Sequence, residues 1–103
     1  MKIVRVQYIA KQEYAEHNLG NISRVMEDLK KINRPGIRYS VFVQNDGRSF
    51  MHLAIFETDE DQKIHNNLDS FKQFTSELQA KGLETKPVSE TLELAGASYD
   101  LFR

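Results

Sequence analysis

Three side chains with acid–base or anion-binding chemistry fall inside stretches that are typical of buried β-strands. His52 lies in "SFMHLAIFE" (49–57), Arg5 in "KIVRVQYIA" (2–10) and Arg38 in "IRYSVFVQ" (37–44). A histidine with its usual pKa near ~6.5 can act as acid, base or hydrogen-bond donor around neutral pH. A guanidinium in a strand can anchor an anionic or carbonyl-bearing group. This pattern predicts a catalytic set in which His52 is the base and Arg5 and Arg38 stabilise negative charge.

Each of these residues also has a purely structural interpretation. His52 can be a core histidine whose ring nitrogens are hydrogen-bonded by Ser40 or by a tyrosine. The sequence favours this interpretation and a role in a cavity equally. For the two arginines, an ion pair with a glutamate near the sheet ends (Glu57, Glu90 or Glu93) is favoured over a functional role.

Further side chains share strand or helix positions that could bring them to the same site. Asn18 and Thr75 fall on the apolar stripes of their helices when each helix is turned at ~100° per residue. Thr75 can instead bond back to its own helix backbone. The predicted ligand-binding set is Gln7, Asn18, Ser40, Phe42, Phe50, Phe56 and Thr75.

Other kinds of catalytic motif are missing from the sequence. His17 and His65 fall off the apolar stripes, so we expect them to be exposed, and no His-x-x-x-His spacing points to a metal site. The chain has no cysteine. Gly47 belongs to a hairpin rather than to a phosphate-binding loop. We therefore expect neither a bound metal nor a thiol nucleophile.

Length and charge narrow the class of protein. A chain of 103 residues, 40% hydrophobic and 28% charged, has the composition of one globular domain spanning 1–103. Its 14 basic and 15 acidic residues form no basic run, so nucleic-acid binding is not expected. No apolar stretch approaches the roughly 18 residues of a membrane span, and the first residues lack a signal-peptide pattern. We expect a cytoplasmic protein that does not enter a membrane.

The periodicity along the chain predicts the order β-α-β-β-α-β. Strands are expected over 2–10, 37–44, 48–57 and 87–95, and helices over 14–32 and from Thr58 to Gly82. The second helix should break near Asn66 and Asn67, and Asn45-Asp46-Gly47 should form a hairpin turn. This order is that of an α+β ferredoxin-like fold, with both helices on one face of an antiparallel four-stranded sheet.

Strand alternation divides the sheet residues into two sets. One set is almost purely apolar: Val4, Val6, Tyr8, Ile37, Tyr39, Val41, Val43, Met51, Leu53 and Ile55. The other is mixed: Arg5, Gln7, Ile9, Arg38, Ser40, Phe42, Phe50, His52, Ala54 and Phe56. Because both sets contain large apolar residues, the simplest arrangement covers one with helices and the other with a second copy of the sheet. A homodimer through the sheet face is therefore expected.

This layout resembles the dimeric α/β-barrel proteins, in particular the antibiotic-biosynthesis-monooxygenase-like branch. The likeness is in "HLAIFETDED", similar to a third strand that ends in an aromatic before an acidic helix start, and in "LDSFKQFTSEL", similar to an "S-x-x-F-K" second helix. The resemblance implies that Phe56, Ala54, His52 and Phe50 face a cavity and that Met51, Leu53 and Ile55 face the partner.

The resemblance also bears on cofactors. Haem-degrading relatives carry tryptophan and histidine where this chain has Phe56 and Thr75, so no haem is expected, nor any other cofactor. The hypothesis is a cofactor-independent monooxygenase or isomerase acting on a small aromatic or ketone substrate between sheet and helices. The alternatives are a non-catalytic ligand-binding or stress-associated barrel and a domain that docks onto another protein through its sheet.

Overall fold

The computed structural model describes residues 1–103. The strands are β1 (Lys2–Ile9), β2 (Ile37–Val43), β3 (Ser49–Phe56) and β4 (Val88–Leu92). The helices are α1 (Ala15–Ile32), α2 (Asp59–Asn66) and α3 (Asp69–Glu77), and α3 continues into a wide π turn, Leu78–Gly82. The predicted element order is confirmed, including the break between the two parts of the second helix.

All four strands form one antiparallel sheet in the order β2-β3-β1-β4, with β1 and β3 at its centre. This is the predicted ferredoxin-like α+β fold. The helices cover one face: Tyr8 and Phe50 from the sheet form the main core with Ile22 and Val25 of α1 and with Phe74 of α3. We call this covered side the inner face and the opposite side the outer face.

The pairing register corrects the predicted division of the sheet residues. Val6 and Val41 both lie opposite His52, and residues opposite each other in adjacent strands point to the same side. The β1 and β2 residues grouped with Met51 in fact share the face of His52, so the predicted phase between β3 and its neighbours was wrong. Arg5, Gln7, Arg38, Ser40 and Phe42 consequently lie on the outer face, with Met51, Leu53 and Ile55.

Two sequence-coded turns fix the ends of β3. Gly47 has φ = 73° in the hairpin between β2 and β3, a conformation that glycine adopts readily. At the other end Thr58 caps α2 as predicted, because its hydroxyl accepts a hydrogen bond from the Asp61 backbone N–H while the Asp61 carboxylate accepts from the Thr58 N–H. Arg34 pairs with the same buried carboxylate and ties α2 to the approach to β2.

None of the helices has the length and apolar character needed to cross a membrane.

Candidate functional site

His52 lies on the inner face between two tyrosine hydroxyls. Its Nε2 atom is 2.7 Å from the Tyr8 hydroxyl, and its Nδ1 atom is 2.6 Å from the Tyr39 hydroxyl. Only 5% of His52 is exposed. The structural expectation that a tyrosine satisfies its ring is confirmed, although with two tyrosines and without Ser40.

Asn18 of α1 extends this chain of polar groups. It is completely buried, and its Nδ2 atom donates to the Tyr8 hydroxyl over 2.8 Å. Its Oδ1 atom is buried and has no hydrogen-bond partner. The prediction that Asn18 faces the sheet is confirmed, and its contact with His52 runs through Tyr8.

The donors and acceptors of this chain favour one arrangement of hydrogens. Because the Tyr8 oxygen accepts from Asn18, its own hydrogen is free to be donated to His52 Nε2. His52 then carries its hydrogen on Nδ1 and donates it to the Tyr39 oxygen. The Tyr39 hydroxyl hydrogen is left for a third group, so Tyr39 can donate to a bound oxygen atom. If the hydroxyl–imidazole bonds reverse, the same chain can carry a proton inward from Tyr39.

Burial sets the protonation states of all three groups. Desolvation, with repulsion from His65 as a smaller cause, lowers the pKa of His52 to about 4. Desolvation likewise raises the pKa of Tyr8 and Tyr39 well above the usual tyrosine range. At neutral pH the imidazole is therefore uncharged and both phenols keep their protons. The resting site is a neutral hydrogen-bonding chain.

A cavity of about 190 Å³ adjoins this chain. Its polar end is formed by Tyr8, Tyr39 and His52, and its floor by the inner-face residues Val4, Val6 and Ala54.

The opposite wall of the cavity comes from the second helical region. Phe71, Phe74 and Thr75 of α3 form its roof, and Gln79 and Pro87 lie at its exposed rim. The Phe74 ring centroid is 5.2 Å from that of His52. The cavity is thus an apolar slot that ends in the hydroxyl–imidazole chain, and it opens beside the edge strand β4.

His65 lies behind the site and was wrongly expected to be exposed. It is 2% exposed, and its ring centroid lies 4.7 Å from that of Tyr39 and 4.3 Å from that of Phe71. Burial lowers its pKa also. The break before α3 lets α2 turn Asp61 and His65, which are one helical turn apart, toward the interior.

The remaining inner-face predictions fall around the site at different distances. Phe50 is buried and stacks on Tyr8, with ring centroids 5.5 Å apart. Phe56 is buried farther along β3 with Ile37 and Ala54, and it contacts His65 rather than the cavity. Thr75 lines the cavity, and its hydroxyl donates to the Phe71 carbonyl over 3.0 Å, the predicted bond back to its own helix.

The two arginines lie on the outer face and have partners there. Arg5 donates to the Glu90 carboxylate over 2.9 Å, one of the glutamates proposed for such an ion pair. Arg38 donates to the Leu101 carbonyl over 2.8 Å. Their predicted grouping with His52 is wrong, because the sheet separates them from the imidazole.

The other polar and aromatic residues predicted with the arginines share their side of the sheet. Gln7 and Phe42 line an open cleft near the hairpin. Ser40 lies by the C-terminal tail. None of these three residues contributes to the wall of the inner cavity.

The sequence did not identify the three side chains that surround His52 as site residues. They are Tyr8, Tyr39 and Phe74. Tyr39 was missed because the hairpin loop is one residue longer than predicted. The Gln44 N–H donates to the Ser49 carbonyl, so β3 begins at Ser49 rather than at residue 48, and this register puts Tyr39 opposite Ala54 and Val41 opposite His52. For Tyr8 no local sequence feature gives the register, because β1 pairs with β3 only through tertiary folding.

No group of three His, Cys, Asp or Glu side chains is arranged to hold a metal ion.

Solved structures share this architecture. A crystal structure of an antibiotic biosynthesis monooxygenase matches 93% of this chain and 100% of its own, with a TM-score of 0.74 and 17% identity. A protein from Nitrosomonas europaea, provisionally named for the same activity, matches 96% and 100% with a TM-score of 0.74 and 16% identity. A protein from Mycobacterium tuberculosis matches 95% and 98% with a TM-score of 0.76 and 9% identity.

The sequence itself has no match among family models or among curated proteins. At the identities quoted, the structural likeness establishes a common fold. The resemblance stated from the sequence is confirmed at this level: the chain has the fold of antibiotic-biosynthesis-monooxygenase-like structures.

Proposed function

We propose that this protein binds a small aromatic or ketone-bearing molecule in the inner cavity and oxygenates it with dioxygen, without a bound cofactor. The observation that carries the proposal is the cavity of about 190 Å³ whose polar end is the Tyr8–His52–Tyr39 chain. Support for the reaction class comes from the structural relatives named for a monooxygenase. Isomerisation of an enolisable ketone in this cavity would instead begin with removal of a proton from the carbon beside the carbonyl group, while Tyr39 donates to the carbonyl oxygen.

In the proposed reaction, Tyr39 meets the substrate oxygen and His52 receives the substrate proton through it. Because a phenol has an ordinary pKa of about 10 and His52 one of about 4, transferring the proton from the substrate to His52 costs about 8 kcal/mol before the two charges attract each other. The negative charge left on the substrate must offset this cost, which an anion beside an imidazolium in a desolvated site can do. The anion then reacts with dioxygen. One oxygen atom becomes a carbonyl oxygen on a ring carbon. The other leaves as water, together with the phenolic hydrogen and the hydrogen of that ring carbon.

Two tyrosine substitutions test the proposal, one at the cavity and one as its control on the protein surface. Tyr39→Phe removes the hydroxyl at the cavity while keeping the ring, and we expect oxygen uptake with phenolic substrates to fall roughly 100-fold. Tyr99→Phe removes a hydroxyl from an exposed tyrosine of the tail and should leave the rate unchanged. Wild-type turnover in a folded Tyr39→Phe protein would rule out the proposed proton path.

A matched histidine pair examines the base. His52→Gln retains hydrogen-bonding capacity but cannot hold the substrate proton, so turnover should be lost while ligand binding persists. His17→Gln changes an exposed histidine that contacts Glu77 at 3.2 Å and should have wild-type turnover. Full activity in the folded His52→Gln protein would refute the role of His52 as the proton acceptor.

A non-catalytic binding protein is the second candidate. It is favoured by one observation: both ring nitrogens of His52 already have protein partners. This candidate predicts saturable binding of a phenol with no oxygen uptake under any condition tested.

We also propose a homodimer through the outer face. Apolar side chains of three strands (Phe42, Met51, Leu53, Ile55 and Val88) remain partly or largely exposed there, and such a patch favours association. Light scattering should give twice the chain mass of 12.0 kDa. Leu53→Glu should give the monomer mass, whereas Gln73→Glu on exposed helix surface should not. A monomeric wild type would end this part of the proposal. The expected cytoplasmic location stays a prediction.

A further inference from the structure

The wall of the inner cavity carries no aspartate, glutamate, lysine or arginine. Its polar atoms belong to the uncharged Tyr8–His52–Tyr39 chain, Thr75 and Gln79. The Thr75 hydroxyl is already committed to its own helix backbone. Arg5 and Arg38 lie on the other side of the sheet and have partners there. A charged group inside the cavity would therefore lose its hydration and meet no side chain that is already charged at neutral pH, which is unfavourable.

The volume limits the ligand to about one ring. A cavity of roughly 150 Å³ with apolar walls is large enough to bind benzene, and this one measures about 190 Å³. The difference leaves space for one or two small substituents. A fused second ring would have to displace the floor at Ala54 or the roof at Phe71, and close-packed interiors resist such displacement.

The two ends of the cavity orient the ligand. At the inner end, the free hydrogen of the Tyr39 hydroxyl is available to an oxygen atom. Along the roof, the Phe71 and Phe74 rings have centroids 6.0 Å apart, which suits contact with an aromatic or alicyclic ring. At the rim, Gln79 and Pro87 are exposed, so a small substituent opposite the oxygen can point toward solvent.

We infer that the substrate is a neutral single-ring phenol or ketone, and that Ala54 and Phe71 determine its size by closing the cavity on either side of the ring. The inference rests on the proposed function, and it adds the exclusion of molecules that would place a carboxylate or a fused ring inside the cavity. Oxygen atoms of both compound types can accept from Tyr39, whereas only a phenol can also donate to it.

A panel of three phenols of different size and charge tests the inference by isothermal titration calorimetry at neutral pH. Wild-type protein should bind para-cresol, whereas ortho-hydroxybenzoate and 1-naphthol should each bind at least about 100-fold more weakly, because their carboxylate or second ring lies beside the oxygen and so stays inside the cavity. Equal affinity for all three would overturn the size and charge selection while leaving the proposed function standing. Failure of every compound to bind would overturn both. Binding of para-cresol alone, with no oxygen uptake, would leave the selection intact and refute only the oxygenase proposal.

Two cavity variants check that selection comes from the named residues. Phe71→Ala should gain at least about 10-fold in 1-naphthol affinity, and Ala54→Leu should lose para-cresol binding by a similar factor. Thermal melting establishes that each variant is folded, and Gln73→Ala, on the exposed side of α3, serves as the control. Unchanged ligand preference in both folded cavity variants would overturn the assignment of Ala54 and Phe71.

Discussion

The two faces of the sheet are built from the same strands, yet they place similar residues in very different surroundings. On the inner face Phe56 is 3% exposed, whereas on the outer face Phe42 is 53% exposed. The difference comes from the helices, which cover only one side. A candidate site in this fold therefore depends less on which residue types a strand carries than on which side of the sheet receives the helical cover.

Ionisable residues show the same difference between the inner and the outer face. His52 loses its solvation on the inner face, and its pKa falls to about 4. Arg5 lies on the outer face, where 33% of its side chain and 49% of the Glu90 side chain remain exposed. Water screens that pair, so it contributes little to stability. Desolvation therefore changes the acid–base chemistry of His52, whereas Arg5 forms an ordinary ion pair in contact with water.

The largest expected contrast is between two phenylalanine truncations. Phe56→Ala should lower the free energy of unfolding by about 3–5 kcal/mol, because it opens a void in the covered core. Phe42→Ala should lower it by less than about 1 kcal/mol in dilute protein, because its ring is already half in water. Urea unfolding of both variants measures this difference. Similar losses in both would mean that the outer face is as well covered as the inner one.

Acid pH should destabilise the inner face through His52. The unfolded chain binds a proton at this histidine with the ordinary pKa of 6.5, and the folded chain only at about 4. Stability is therefore complete above pH 6.5 and is lost as the pH falls toward 4, by about 3 kcal/mol. His65 adds to the same loss, because burial lowers its pKa also.

Matched histidine variants isolate this contribution. Unfolding free energies measured between pH 7 and pH 4 should depend less on pH in His52→Gln than in wild type. The exposed His17→Gln protein should retain the wild-type dependence. An unaltered pH profile in His52→Gln would show that His52 is solvated in the folded state.

Two amides, one on each side of the sheet, give a smaller contrast. Asn18→Ala removes the donor to the buried Tyr8 hydroxyl and should cost about 1–3 kcal/mol in unfolding free energy. It should also weaken ligand binding through the loosened Tyr8–His52 contact. Gln7→Ala on the exposed outer face should change stability by less than about 0.5 kcal/mol. Equal small effects would indicate that Asn18 does not order the chain.

The last and smallest contrast concerns Arg5 on the outer face, which should matter little for stability and not at all for the inner cavity. Arg5→Ala removes an exposed ion pair and should lower the unfolding free energy by no more than about 0.5–1 kcal/mol, with a smaller loss at high salt. Affinity for para-cresol in the inner cavity should not change. A large loss of para-cresol affinity in Arg5→Ala would show that Arg5 affects the inner cavity, and it would contradict the separation of the two faces.

Several local features were predictable because each is encoded within a few residues. The Asp46-Gly47 turn, the Thr58 cap and the helix break near Asn66 and Asn67 all occur where the sequence indicated. Asn18 was correctly assigned to the sheet side of α1, since helical periodicity is a property of one element. His65 was not, because its burial depends on how α2 docks after the break.

The sequence by itself determined the four strands, the helices, their order and the alternation along each strand. Alternation has a period of two and carries no information about the phase between neighbouring strands, and a shift of one residue turns every side chain to the opposite face. For β2 and β3 the phase depended on a hairpin loop that is one residue longer than the sequence indicated. For β1 it was decided only when the chain crossed over and paired with β3. Tertiary pairing thus gave His52 its partners Tyr8 and Tyr39 and moved Arg5 and Arg38 to the other side of the sheet.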